Sequence, residues 1–330
     1  MVVHASRREK LRRRVVSIPT LAAGTVALSV SIPLWVPVVL LVDAVRLKFR
    51  FPLARLLAFG VCWGWIELAG IALSAWLWVT GRADDHAANY RLMGWWSGTL
   101  MKALGATVGV DPEIEGLDAV GVGNAVVLSR HASLADSLLS GWVFSSVAGI
   151  GPRYVLKREL LFDPCLDVVG LRVPNHFLDR QADDSSIELR ALRELGATVG
   201  DGSVAVIFPE GTRSNPHKRA RILDKIAARD PERAIRLSGL RRLLPPRAAG
   251  SSALLAGAPE ADVLLAWHTG FDGLDTFGGI VDKLSKPLQP VRFVMERSPR
   301  SEIPEGVPFA DWLDERWLEM DRVVDRALSE

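Results

Sequence analysis

Ser129-Arg130-His131-Ala132-Ser133-Leu134-Ala135-Asp136 sets a histidine and an aspartate at the spacing H-x-x-x-x-D. The apolar run 125–128 just before it reads as a buried strand, and a helix-like pattern over 133–147 follows. A strand that ends in a loop and then a helix delivers loop side chains to the rim of a sheet, where a substrate can reach them. Imidazole is the side chain whose proton affinity suits base work near neutral pH. A carboxylate beside it holds one tautomer and stabilises the imidazolium that forms. Ser133-Leu134-Ala135-Asp136 is also a capping box of the S-x-x-D kind, which simply starts a helix. The two readings are compatible, because a helix start is what fixes the aspartate next to the histidine.

Outward from this stretch, short apolar runs recur at 154–156, 204–208, 263–267 and 291–294. Helix-like stretches separate them, the clearest being 183–195 and 309–328. The last is expected to bury Phe309, Leu313, Trp317, Met320 and Val324 against the domain. Strands alternating with helices predict an α/β domain with a largely parallel mixed sheet flanked by helices. Residues 87–104 read as an amphipathic helix that bridges this domain to what precedes it.

The 330 residues are 49% apolar, and the excess lies near the N-terminus. Residues 15–45 are nearly all apolar, and 56–79 form a second run. At 1.5 Å per residue, about 24 residues reach across a hydrocarbon core of roughly 30 Å. Trp35, Trp63, Trp65, Trp76 and Trp78 suit a membrane interface. Arg46, Lys48, Arg50 and Arg55 lie between the runs, and a basic cluster opens the chain. Cations there fit anionic headgroups on the face of the N-terminus. Two helices lodged in one leaflet are therefore expected rather than two full spans, and a cleaved signal peptide is disfavoured by the length of the apolar region. Glu67 falls mid-segment, where a charge costs roughly 2.5–3.5 kcal/mol at a membrane centre, so it is expected to face a helix partner or the headgroups. The reading divides the chain into a basic segment with a two-helix membrane anchor, 1–83, and a catalytic domain, 84–330, on the cytoplasmic face.

Net charge is +2, so no global field argues for nucleic acid. Cys62 and Cys165 are the only cysteines, and no zinc-ligand spacing is present, so no metal is expected. Gly202-Ser203-Val204-Ala205 lacks the second glycine of a nucleophile elbow, which disfavours a serine hydrolase.

A second block, Phe208-Pro209-Glu210-Gly211-Thr212-Arg213-Ser214, lies downstream. Phe177-Leu178-Asp179-Arg180 stands between it and the histidine stretch, and Leu243-Leu244-Pro245-Pro246 follows. In this order the four blocks resemble the glycerophospholipid acyltransferase family, typified by 1-acylglycerol-3-phosphate acyltransferase. The first and third blocks are specific and the other two are weak alone. The resemblance implies acyl transfer from acyl-CoA or acyl carrier protein to a lysophospholipid in the membrane, with no cofactor. It implies His131 as base and Asp136 as its orienting partner. Arg213, Arg180 and, by a looser match, Lys157 become candidates for the acceptor phosphate. Arginine's planar fork suits phosphate oxygens. Glu210 is expected to brace its loop by accepting backbone N–H bonds, Gly211 to let backbone approach substrate, and Thr212 to line the same turn.

Two departures stand out. Arg130 occupies the place of the family's asparagine, and Gly170 lies further from the Phe177 block than the pattern has it. His176, His217 and His268 are read as structural. The Lys- and Arg-rich run 216–247 is read as a patch toward the membrane or the acyl donor. Another lysolipid or glycolipid acceptor is the nearest rival reading, and a non-catalytic lipid-binding protein is the rival of a different class. Oligomeric state is not legible.

Overall fold

The computed structural model describes residues 7–133, 135–179, 185–274 and 276–329. Seven strands build one sheet: β1 (Pro112–Glu115), β2 (Ala125–Ser129), β3 (Gly151–Lys157), β4 (His176–Leu178), β5 (Ser203–Ile207), β6 (Asp262–Thr269) and β7 (Val291–Ser298). Their spatial order is β1-β7-β6-β2-β5-β3-β4. Among the strands of the described residues, β6 and β7 pair antiparallel and the other neighbours run parallel. The helices are α1 (Arg7–Val30), α2 (Ile32–Val45), α3 (Pro52–Val79), α4 (His86–Val108), α5 (Asp136–Gly141), α6 (Pro164–Val168), α7 (Ser185–Gly196), α8 (Pro216–Ala227), α9 (Pro231–Leu237), α10 (Ala248–Gly257), α11 (Phe277–Leu284) and α12 (Val307–Ala327).

Alternation along the central strands assigns the two faces. Val126, Leu128, Ala205 and Ile207 pack toward Leu192 of α7, Leu254 of α10 and Trp317 of α12. Ala125, Val127, Val204 and Val206 pack toward Met101 of α4, Leu139 of α5 and Leu284 of α11. Both faces are covered, so β2 is buried at every residue and reads as an unbroken apolar run rather than an alternation. Five strands fall on the runs expected from sequence. β1 and β4 do not, and both are short edge strands that bury little.

The topology places the site. From β2 the chain crosses past β5 to β3, and from β5 it crosses back past β2 to β6. The loops after β2 and β5 leave in opposite directions, and such a switch point opens a crevice at the carboxyl ends of the strands.

The expected helix over 133–147 begins at Asp136 and widens to a π-helical turn at Trp142–Val147. α12 buries Phe309, Leu313, Trp317, Met320 and Val324 against the domain. Of the helix expected over 183–195, the residues from Ser185 on lie in α7, and the first two fall outside the described residues.

The N-terminal helices lie against the α/β body. α1 and α2 meet at a 72° bend, and α3 is long and apolar enough to cross a membrane. Yet α3 is held to the body at both ends. Arg55 near its start donates to the carbonyls of Thr107, Val108 and Leu284, and Ser74 near its end accepts from Arg172 at 2.7 Å. Midway, Trp96 of α4 donates to Glu67 at 2.9 Å, so Glu67 faces a helix partner. Arg13 and Arg14 grip Asp167 at 2.7 and 3.1 Å. Arg55, expected at headgroups, thus serves the last carbonyls of α4, which have no partner within their own helix. The basic run 216–247 also differs from expectation. Arg233 and Arg236 pair with Asp314 and Asp311, and Arg241 and Arg242 with Asp325, so α12 neutralises much of it.

Candidate active site

Two loops from the switch point carry the specific blocks, and hydrogen bonds sew them together. Ser214 N–H donates to the His131 carbonyl at 2.8 Å. Glu210 accepts from His131 N–H at 2.7 Å with one carboxylate oxygen and from Leu244 N–H at 2.8 Å with the other. Arg247 N–H donates to Pro209 at 3.0 Å. Glu210 is thus a clasp joining three segments that are distant in sequence. Its side chain is sealed from solvent, and burial pushes its carboxyl up to about 8 against the opposing pull of the two backbone donors and of Arg130.

His131 Nδ1 lies 2.9 Å from Asp136 Oδ2. A carboxylate only accepts, so the proton sits on Nδ1 and Nε2 keeps its lone pair. The His131 side chain is 17% exposed and the Asp136 side chain 1%, so the base reaches solvent while its partner does not. Phe208 supports the imidazole, its ring centroid 4.8 Å away.

Asp136 is further held by Ala132 N–H at 2.6 Å, Ser133 N–H and the Ser133 hydroxyl. The Ser133 hydroxyl in turn accepts from Ala135 N–H at 3.1 Å. The capping box and the His–Asp pair are therefore one structure, as the two compatible readings of this stretch allow. Burial alone would raise the Asp136 carboxyl. The two histidines beside it, His268 and His131, outweigh it and hold the group well below the usual carboxylate range.

His131 opens on a cavity of about 540 Å³. Its lining is of two kinds. Lys157, Arg213, Arg247, Glu188 and Asp179 supply charge, while Val155, Leu156, Leu189, Leu192, Ile207, Phe208 and Gly250 supply an apolar surface. Gly211 lines it with φ at +69°, and a Cβ there would sit 3.4 Å from the Arg247 guanidinium. Glycine suits that left-handed turn and leaves the arginine room. Thr212 lies at the same turn, its hydroxyl 3.4 Å from the Lys218 ammonium.

Of the residues singled out from sequence, His131, Lys157, Gly211 and Arg213 share the cavity, and Asp136 and Glu210 lie beneath it. Arg180 lies outside the described residues. Asp179, its neighbour, pairs with Arg158 at 2.8 Å. His176 is buried and bonds Glu188 at 2.6 Å, a brace for this segment.

Sequence reasoning missed two residues. Arg247 lines the cavity, and its signal was faint: a cation directly after Leu243-Leu244-Pro245-Pro246. His268, read as structural along with His217, is 1% exposed with Nε2 2.9 Å from Asp136 Oδ1. It stands one residue past the apolar run 263–267, and only the β2–β6 register, with Ser129 opposite Ala266, brings it to Asp136. Arg130 does not face the cavity. It is buried, donates to the His268 carbonyl and pairs with Asp272.

Residues 111–256 match the family described as Acyltransferase. That segment is an acyltransferase domain. Among similar proteins is an uncharacterised acyltransferase of Schizosaccharomyces pombe, 24% identical over 250 residues, which make up 68% of either chain. Mouse 1-acyl-sn-glycerol-3-phosphate acyltransferase epsilon is 25% identical over 214 residues, 61% of this chain and 57% of the mouse protein. The fold is similar to that of the 1-acyl-sn-glycerophosphate acyltransferase of Thermotoga maritima, with TM-score 0.58 and 17% identity over 86% of this chain and 98% of the other.

Proposed function

We propose that the protein moves a fatty acyl group from an acyl thioester to the free hydroxyl of 1-acylglycerol-3-phosphate, giving phosphatidic acid. The observation that carries this is the His131–Asp136 pair opening on a cavity that also holds Arg213 and Lys157. His131 Nε2 takes the hydroxyl proton as the oxygen attacks the thioester carbonyl. The tetrahedral intermediate collapses with loss of the thiolate, and the imidazolium returns its proton to sulfur. Asp136 holds the imidazole and stabilises its charged form. Arg213 and Lys157 bind the acceptor phosphate, each charge-assisted hydrogen bond being worth about 1.5–3 kcal/mol. Arg180 is proposed for the same role from its sequence position. The apolar lining receives acyl chain. The acceptor in the name of the mouse relative supports this acceptor class. The donor is acyl-CoA or acyl carrier protein.

We further propose that α1, α2 and α3 sit in one leaflet. A helix bonded to the catalytic body at Arg55 and again at Ser74 lies along that body. Trp76 and Trp78 are 64% and 67% exposed, and Leu34, Leu41 and Val45 turn outward as well, a surface suited to lipid. The cations Arg46, Lys48 and Arg50 then meet anionic headgroups, which favours the cytoplasmic leaflet.

The test is acyl transfer by the purified full chain from labelled acyl-CoA to a panel of lysolipids, beside His131→Ala and Asp136→Asn. Phosphatidic acid from 1-acylglycerol-3-phosphate, lost in both variants, is the expected result. Equal turnover by His131→Ala would refute the base assignment. Preference for an acceptor without phosphate would refute the acceptor.

A further inference from the structure

Asp136 carries two imidazoles. His131 meets one carboxylate oxygen at 2.9 Å, and His268 meets the other at 2.9 Å, a contact bent from the ideal hydrogen-bond line. His268 stands near the end of β6, 1% exposed and outside the cavity lining. Toward Asp136 it presents an N–H, because the carboxylate has only lone pairs to offer. Neither ring nitrogen completes a hydrogen bond of good geometry among the described residues, so the approach to Asp136 is a close electrostatic contact.

The ring is also held from behind. Arg130, 1% exposed, donates to the His268 carbonyl and pairs with Asp272, and Phe271 lies against the imidazole with ring centroids 5.7 Å apart. Arg130 is one of the two departures from the family pattern, and its guanidinium is spent on this strand end rather than on substrate. A buried cation, a backbone carbonyl and an imidazole thus form a support that ends on the Asp136 carboxylate.

We propose that His268 is a positioning residue for acyl transfer, tying the Asp136 carboxylate to the end of β6 so that Asp136 in turn holds His131 in line with the acceptor hydroxyl. The inference rests on His131 being the base. Without His268, Asp136 keeps its partners on the histidine loop but loses the contact that ties it to β6, so the loop and its base shift relative to the sheet. The charged groups around His268 are Asp136, Arg130 and Asp272, with His131 and Glu210 acting through Asp136.

The test compares wild type, His268→Phe, His268→Gln and His131→Ala in the full-length chain, using labelled acyl-CoA and 1-acylglycerol-3-phosphate in mixed vesicles. Phenylalanine keeps the ring volume and removes the N–H, whereas glutamine restores an N–H near the place of Nε2. For His268→Phe, kcat should fall about 10- to 100-fold, the cost of a base displaced by about an ångström. Acceptor KM should stay within about twofold. Glutamine should recover most of kcat. If His268→Phe does not fold by thermal unfolding, His268→Asn, whose amide is too short to reach Asp136, takes its place against the same glutamine reference. Turnover of His268→Phe within twofold of wild type would overturn the proposal, and so would equal losses in the phenylalanine and glutamine variants. A wild type no faster than His131→Ala is a separate result, which defeats the base assignment itself.

Discussion

Glu210→Gln tests how the site is assembled. Both Glu210 oxygens accept a backbone N–H, from His131 at 2.7 Å and from Leu244 at 2.8 Å. Glutamine is nearly isosteric but has one accepting oxygen and one donating nitrogen. Whichever way the amide turns, one buried N–H faces another donor. An unsatisfied buried donor costs about 1–3 kcal/mol, so Tm should fall by a few degrees or more. Because one of the two donors belongs to His131 itself, kcat should fall about 10- to 100-fold while acceptor KM changes little. Thermal unfolding and steady-state kinetics measure the two effects.

The same variant carries a pH signature. Burial raises the Glu210 carboxyl to about 8 from an ordinary 4.5. The folded state therefore keeps a proton that the unfolded chain has released. This stabilising contribution is fully present below about pH 4.5 and is lost as pH rises through about 8. Glutamine does not titrate, so the stability gap between wild type and variant should narrow from pH 5 to pH 8. Unchanged Tm and full kcat would show that the two backbone donors have other partners and that the clasp does not hold the loops. A gap that widens with pH would refute the raised carboxyl.

Further outcomes follow from the same geometry. His131→Ala should lower kcat by about 10²–10⁴ with Tm little changed, since the side chain serves chemistry more than packing. Arg213→Ala should raise KM for a phosphate-bearing lysolipid about 10- to 100-fold, the equivalent of one charge-assisted hydrogen bond, and an unchanged KM would argue against phosphate there. Asp167→Ala leaves Arg13 and Arg14 without their shared carboxylate, so α1 should become susceptible to limited proteolysis while α12 stays protected. Trp76 and Trp78 should be quenched by brominated lipid in vesicles, with quenching strongest at shallow bromine positions if α3 lies in one leaflet.

Local order along the chain was enough for much of this protein. Buried parallel strands must be continuously apolar, so five of the seven could be picked out, and an α/β sheet followed from their alternation with helices. The acyltransferase class was legible because two rim loops carry rare residue combinations at short spacing, and short spacing survives without knowledge of the fold. The edge strands β1 and β4 were not legible, since an edge has little apolar surface to bury. Nor were the contacts of Arg13, Arg14 and Arg55, because a cation on an apolar helix looks the same in sequence whether it meets a headgroup, a buried carboxylate or the end of another helix. Tertiary structure alone decided the Glu210 clasp and the approach of His268 to Asp136. Those contacts join residues separated by 34 to more than 130 positions, and they exist only because β5 and β6 flank β2 in a register that no local pattern encodes.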